Sequence, residues 1–176
     1  MSPNAAVFLR TIASAIVLTT LSMSSAFAHG DHHPEKPHSS VERVGPAALV
    51  QLEEVREATF RYVDVDAAVA DGYVDIGAFV SGMGWHYVNA NRIDQRFNAE
   101  RPEILVYADD PCGGKRRLVA VEYAIPLPLS KKAPDGFVGR ADQWHKDESL
   151  GLWTLHAWVW EYNPDGVFAP FNPRIP

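Results

Sequence analysis

Residues 118–125 read LVAVEYAI, an apolar run that is interrupted once, by Glu122. Such a run is typical of a β-strand that is covered on both faces. Because side chains alternate between the two faces of a strand, the even-numbered residues share one face. These are Leu118, Ala120, Glu122 and Ala124. A buried carboxylate is costly unless it keeps its proton, meets a cation or binds a metal, so the run predicts a strand and a partner for Glu122.

Three further short apolar runs predict the rest of an antiparallel sheet. They occupy residues 84–88, 104–107 and 153–160. Residues 109–114 read DDPCGG, a turn composition that predicts a hairpin between two of these strands. The linker at 127–151 contains Pro, Gly and charged residues, and we expect it to cross the surface of the molecule.

A helix is predicted before the strands. Pro46 suits the first turn of a helix, and apolar residues recur at helical spacing to about Ala70, where Asp71 and Gly72 predict its end. The expected fold class is therefore α+β, with an N-terminal helix packed on a small antiparallel β-sheet or barrel.

Composition limits the classes of protein to which the chain can belong. It has 176 residues, of which 47% are hydrophobic, and its net charge of −6 argues against a nucleic-acid partner, because phosphates require a basic face. Cys112 is the single cysteine, so no internal disulfide can form, and its turn-like surroundings predict an exposed side chain. We expect residues 45–176 to form one globular domain.

The first 28 residues have the pattern of an export signal. They carry one charge, Arg10, followed by a short apolar run and the sequence AFA at 26–28, which a signal peptidase accepts. The apolar run is shorter than the roughly 20 residues that span a bilayer, so no membrane span is expected after cleavage. The expected location is periplasmic or extracellular.

Cleavage would leave residues 29–44 as a flexible, histidine-rich tail, because its first twelve residues include no apolar side chain to bury. His29, His32 and His33, with the new α-amino group, offer a loose site for Cu²⁺, Ni²⁺ or Zn²⁺. A solvated linker whose histidines bind nothing explains the same composition.

Two histidines interrupt other predicted strands as Glu122 interrupts its own. His86 lies in the run at 84–88, and His156 lies in the run at 153–160, while His145 follows Trp144 in the long linker. Three imidazoles and one carboxylate make a sensible site for one divalent transition metal: Zn, Cu, Mn, Fe or Ni.

Each of these residues also has an ordinary structural explanation. Buried histidines commonly bond to backbone carbonyls, and Glu122 has Arg116 and Arg117 nearby in sequence as candidate partners. The sequence alone leaves both readings open. A shared site requires that His86, Glu122 and His156 converge in space.

Four segments resemble a family of largely uncharacterised exported bacterial proteins. They are GMGWHYVN at 82–89, PEILVY at 102–107, LVAVEY at 118–123, and LHAWVW at 155–160 followed by NPDGVF at 163–168. The resemblance covers about residues 47–173 and implies a shared site without an assigned activity.

A fainter likeness reaches the plant oil-body-associated proteins. They pair HY, VEY, WH and HxW in the order found here at 86–87, 121–123, 144–145 and 156–158, which is what groups His145 with the other candidate ligands. The export signal and the histidine-rich tail depart from the plant pattern, so the likeness implies no intracellular lipid role.

Three functions follow from these residues, and binding of a divalent metal by His86, Glu122, His145 and His156 is favoured. Catalysis is left open, because the sequence contains no nucleophile elbow or phosphate loop. A second function is a metal-free module that holds a small organic ligand in a polar pocket lined by tryptophans. The third is copper binding at His29 and one further tail histidine, which resembles the histidine brace of copper oxygenases. The tryptophans expected to line the pocket of the metal-free module are Trp85, Trp144, Trp153, Trp158 and Trp160.

Overall fold

The computed structural model describes residues 43–176. The predicted export signal and nearly all of the predicted tail lie outside these residues. Within the described part of the chain, no helix is long and apolar enough to cross a membrane.

The helical region comes first in the described chain and has three parts. Helix α1 is Pro46–Thr59, a 3₁₀ turn follows at Phe60–Val63, and helix α2 is Val65–Ala70. The prediction of one helix to Ala70 is therefore wrong in detail. Asp64 adopts an extended conformation and its side chain accepts a hydrogen bond from the Asp66 amide, so it begins a new helix instead of continuing the first. The predicted end is confirmed, since Gly72 has a φ of 91° and leaves the helix.

Six strands form one antiparallel sheet with the order β1-β2-β3-β4-β6-β5. The strands are β1 (Val74–Val80), β2 (Gly84–Val88), β3 (Ile104–Ala108), β4 (Arg117–Pro126), β5 (His145–Asp147) and β6 (Leu152–Ala157). The α+β class is confirmed. The alternative of a barrel is wrong, because β1 and β5 lie at opposite edges of the sheet and each pairs with one neighbour.

Four strands and the hairpin turn at 109–114 agree with the sequence prediction, whereas β1 and β5 were missed. Strand β1 contains a charge and a glycine and is mostly exposed, so it has no apolar run. Strand β5 has three residues, HKD, and lies within the linker that was expected to be a surface crossing. Both are edge strands, which need less apolar sequence than the covered centre of a sheet.

The two faces of the sheet carry two separate apolar clusters. Helix α1 packs Leu52 and Val55 on the first face, against residues that include Val121 and Tyr123 of β4. The second face carries Val88, Ile104, Ala120, Ala124 and Leu152. Helix α1 therefore covers one face, and the opposite face holds the candidate site.

A bulge at the start of β4 corrects one detail of the predicted faces. Val106 pairs with Ala120 but Tyr107 pairs with Leu118, so Val119 is an extra residue on β4. Leu118 consequently packs in the first cluster rather than beside Glu122. The alternation predicted for Ala120, Glu122 and Ala124 holds beyond the bulge.

Candidate metal centre

Three of the predicted ligands meet on the sheet face opposite α1. Glu122 on β4 pairs directly with His156 on β6, and antiparallel partners point to the same face. His86 reaches the site from β2, on the other side of β3. All three side chains are buried, with 4–6% of each residue exposed. The predicted convergence of His86, Glu122 and His156 is confirmed.

The distances between these side chains fit ligands of one ion better than hydrogen-bonded partners. His86 Nε2 lies 3.6 Å from Glu122 Oε2, and His156 Nδ1 lies 3.7 Å from Glu122 Oε1. An N–H···O hydrogen bond is about 2.7–3.2 Å long. Ligand bonds of about 2.0–2.1 Å at tetrahedral angles place donor atoms about 3.4 Å apart. One donor atom from each residue lies within 4.8 Å of the other two, so the group is able to hold a metal ion.

A backbone contact orients the His86 imidazole, and a ring stack orients the His156 imidazole. His86 Nδ1 lies 3.4 Å from the Ala78 carbonyl oxygen, a contact in which Nδ1 is the donor and Nε2 is left with a lone pair facing Glu122. The His156 ring stacks on Trp158 at 6.0 Å between centroids and 15° between planes. His156 Nε2 is buried and has no hydrogen-bond partner within residues 43–176. An unpaired buried nitrogen needs an explanation, and a bound ion or ligand is one.

Burial sets the protonation of the site. It raises the pKa of the Glu122 carboxyl, an effect that the nearby His86 and Thr154 oppose. Burial lowers the pKa of His86, and it lowers the pKa of His156 to about 4, with a further contribution from His145. Both imidazoles are therefore neutral at pH 7 and ready to donate a lone pair. A divalent cation would reverse the effect on Glu122 by stabilising the carboxylate.

The three ligands line a cavity of about 280 Å³ to which all six strands contribute side chains. Its floor also contains Val88, Ile104 and Leu152, which are nearly fully buried. Polar residues from β5 and the turn after it, His145, Asp147 and Ser149, occupy one side. The site is therefore a buried polar group at the base of a largely apolar cavity.

His145 lies at the rim of this cavity and not in the buried group. Its strand pairs with β6 so that His145 faces Thr154, two residues from His156, and its side chain is exposed. The buried cluster consists of the other three residues. The structure thus brings His145 to the same cavity, on the side that faces solvent.

The alternative partners proposed for Glu122 bind elsewhere. Arg116 forms an ion pair with Asp75 at 2.6 Å, and Arg117 forms one with Glu161 at 2.6 Å. Cys112 is exposed, as expected from its turn.

The prediction that tryptophans line the cavity at these ligands is wrong. All five tryptophans lie in the described part of the chain, and none lines the cavity. Trp85 and Trp153 are each next to a cavity residue in a strand, so alternation turns them to the other face. Trp158 does share the face of His156, as predicted, but packs beside its ring. Trp160 lies beyond the end of β6 and donates a hydrogen bond to Thr59 Oγ1 on the helix side.

Sequence reasoning missed a second buried carboxylate, Glu103, which precedes β3. It is 3% exposed, its Oε2 accepts a hydrogen bond from the Ala124 amide, and burial raises its pKa to about 8. The signal was weak because Glu103 stands next to Pro102 at the edge of an apolar run, where an exposed residue is the usual expectation.

Comparison with known proteins adds no identification. The chain matches no family model, and neither a curated protein nor a solved structure shows significant similarity to it. The resemblances drawn from short motifs therefore stay predictions, and the functional argument rests on the site itself.

Proposed function

We propose that this protein binds one divalent transition metal through His86, Glu122 and His156, with His145 as a weaker fourth ligand on the solvent side. The observation that carries the proposal is the spacing of the three buried donors. One donor atom from each residue lies within 4.8 Å of the other two, yet the separations of 3.6 and 3.7 Å from Glu122 to the two histidines are too long for hydrogen bonds.

The competing explanation is a metal-free polar core held by hydrogen bonds. In such a core, buried polar atoms find partners, because leaving one unpaired costs about 1–3 kcal/mol. His156 Nε2 has no partner among the described residues, and neither ring nitrogen facing Glu122 is within hydrogen-bond distance of it. A shared ion would give Glu122 and one ring nitrogen of each histidine a partner.

The donor set favours a borderline transition metal over Mg²⁺ or Ca²⁺. Two imidazoles suit Zn, Cu, Fe, Mn or Ni, while Mg²⁺ and Ca²⁺ prefer sites built from oxygen. Two histidines and one carboxylate with an open position activate water on zinc or dioxygen on iron in other proteins. Because the three residues line the cavity, chemistry at a metal that they hold would take place there.

The test is metal binding by protein purified without an affinity tag. Elemental analysis and Zn²⁺ titration by calorimetry should give one equivalent in the wild type. His86→Ala and His156→Ala should each weaken binding by more than the roughly 10–100-fold that loss of an outer-shell partner causes. His145→Ala should cause a smaller loss, because this residue is exposed.

Glu103→Gln is the matched control, since it changes a second buried glutamate that directly precedes β3 and lies outside the ligand group. It should leave Zn²⁺ affinity unchanged. Equal affinities in the wild type, His86→Ala and His156→Ala would contradict the proposal.

We further infer that the protein acts outside the cytoplasm, cleaved after Ala28. Support comes from the sequence AFA at 26–28 and the apolar run before it. Intact mass of the exported protein should correspond to a chain that starts at His29.

A further inference from the structure

We propose that the cavity above the metal binds a small molecule with an apolar body and a single anionic oxygen head, and that the head coordinates the metal. This inference rests on the proposed metal site and names the class of ligand that the site takes. Three properties of the site support it: the apolar walls of the cavity, the volume of the cavity, and the net charge of the metal with its three ligands.

The walls select an apolar body. Val88, Ile104 and Leu152 form the floor around the ligands, and Ile76, Val80 and Met83 form the side that β1 and the following turn contribute. Apolar surface of this kind gains little from a hydrated sugar or peptide but gains from covering hydrocarbon. A sugar-like or strongly hydrated ligand is therefore disfavoured.

The size limits the body to about one ring with a short side chain. The cavity measures about 280 Å³. An apolar cavity of roughly 150 Å³ holds benzene, so this one has room for a substituted ring or a short branched chain. A long acyl chain or a macromolecule would have to remain outside.

The charge balance selects an anionic head. A divalent cation bound by two neutral imidazoles and one carboxylate keeps a net charge of +1 in a buried site, and an unbalanced buried charge is costly. A carboxylate or phenolate oxygen on the ligand would remove that imbalance and take the fourth coordination position in place of the weaker ligand His145.

The other cavity residues of the described chain do not supply a second carboxylate to the ligand group. Asp147 is the other carboxylate that lines the cavity in the described chain. Its Oδ1 already accepts hydrogen bonds from Ser149 N, Ser149 Oγ and Leu150 N, which hold the turn after β5. Asp147 is therefore held in its turn, and its negative charge reaches Glu122 from outside the group of converging donor atoms.

The cavity also lacks a cation of its own for an anionic ligand. Its lining, as the described residues define it, includes no Lys or Arg. The metal would supply the electrostatic attraction for the anionic head of the ligand. Binding of an anion should therefore depend on the metal. His145, exposed at the rim, is the ligand that the incoming head would replace.

The experiment uses phenylacetate as the probe, with phenylacetamide as its neutral isostere and acetate as the head without a body. Binding is measured by calorimetry to Zn²⁺-loaded and to chelator-treated protein. Phenylacetate should bind the Zn²⁺ form at least tenfold more tightly than the metal-free form. Phenylacetamide should show no such dependence, and acetate should bind the Zn²⁺ form at least tenfold more weakly than phenylacetate.

Two substitutions of the wall residue Val80 distinguish ligand binding in the cavity from binding of the metal. Val80→Trp should fill the cavity and reduce phenylacetate affinity at least tenfold, whereas Val80→Ala should retain it. Both should bind Zn²⁺ as the wild type does, which also shows that they are folded.

The outcomes distinguish this inference from the metal site on which it rests. If Zn²⁺ binds but phenylacetate binds equally with and without it, or acetate binds as tightly as phenylacetate, the inference is wrong and the metal site stands. If Zn²⁺ does not bind, the metal site and the inference both fail.

Discussion

Glu122 and His156 are directly opposed residues on β4 and β6, and Glu122 Oε1 lies 3.7 Å from His156 Nδ1. Each is buried in a strand whose residues are mostly apolar. The pairing register alone is enough to bring the carboxylate and the imidazole to one face, and His86 reaches them from the other side of β3. The ligand group is therefore built on strands rather than loops, which holds its geometry tightly.

Glu122→Gln should abolish most of the stabilisation that metal gives the fold. An ion that binds the folded form alone raises the free energy of unfolding by about 2.7 kcal/mol when free metal is 100 times its dissociation constant. The amide keeps the shape of Glu122 but lacks the charge that balances the cation. Denaturation curves with chelator and with added Zn²⁺, Cu²⁺ or Mn²⁺ measure the difference.

Glu103→Gln is the control for that experiment and should retain the metal-dependent gain. A wild-type stability that is indifferent to chelator and to every added metal would contradict a tightly held ion. In a metal-free core, Glu122→Gln would also be neutral or stabilising, since it removes a buried ionisable group.

Glu103 should make the metal-free protein less stable as pH rises from about 4.5 to about 8. Its pKa is about 8 in the fold against an ordinary 4.5, because burial disfavours the charged carboxylate. In this range the unfolded chain has lost the proton that the native state keeps, so ionisation favours unfolding. The loss should be on the order of a few kcal/mol by linkage.

Glu103→Gln should flatten this dependence, because the amide oxygen can still accept the bond from the Ala124 amide and has no proton to lose. The measurement is the free energy of unfolding in urea at several pH values, in chelator, for both proteins. Subtracting the two curves removes the contribution of Glu122. A wild-type curve parallel to that of the variant would show that Glu103 ionises normally.

Gly84→Ala should destabilise the fold and weaken metal binding together. Gly84 begins β2 with a φ of +119°, and a Cβ there would overlap the Tyr107 carbonyl oxygen of the neighbouring strand. Backbone strain and overpacking together predict a loss of about 3 kcal/mol or more. Because His86 lies two residues further on the same strand, its ring should shift as well.

Gly45→Ala is the matched control for Gly84→Ala, since Gly45 has a negative φ and no heavy atom within 4 Å of an added Cβ. It should cost no more than about 1 kcal/mol, which is the preference for glycine over alanine at the N-cap of α1. Urea denaturation and Zn²⁺ titration check both variants. Equal stability of the two would refute the steric argument at Gly84.

Deleting residues 29–38 should leave the metal in the protein. The deletion removes His29, His32, His33 and His38, whereas the proposed ligands lie in the sheet. Elemental analysis of the full exported chain and of the shortened chain should give the same metal content. Loss of metal with the tail would instead favour copper bound at the mature N-terminus.

The sequence by itself determined the polar interruptions and the strands that carry them. Glu122 and His156 stand out because each breaks an apolar run, and a two-residue period places each on a definite face of its strand. The α+β class follows from the same local periodicities. These features depend on near neighbours in the chain, which is why they can be read without a structure.

Only the tertiary structure decided which residues form the cavity. Strand β6 pairs with β4 as well as with β5, which precedes it in the chain. Glu122 therefore lies opposite His156, a residue 34 positions away in the sequence. The bulge at Val119 moved Leu118 to the helix side, and alternation turned Trp85 and Trp153 away from the cavity. Strand order and register depend on contacts between distant segments and on bulges that shift one face onto the other, and no local pattern specifies them.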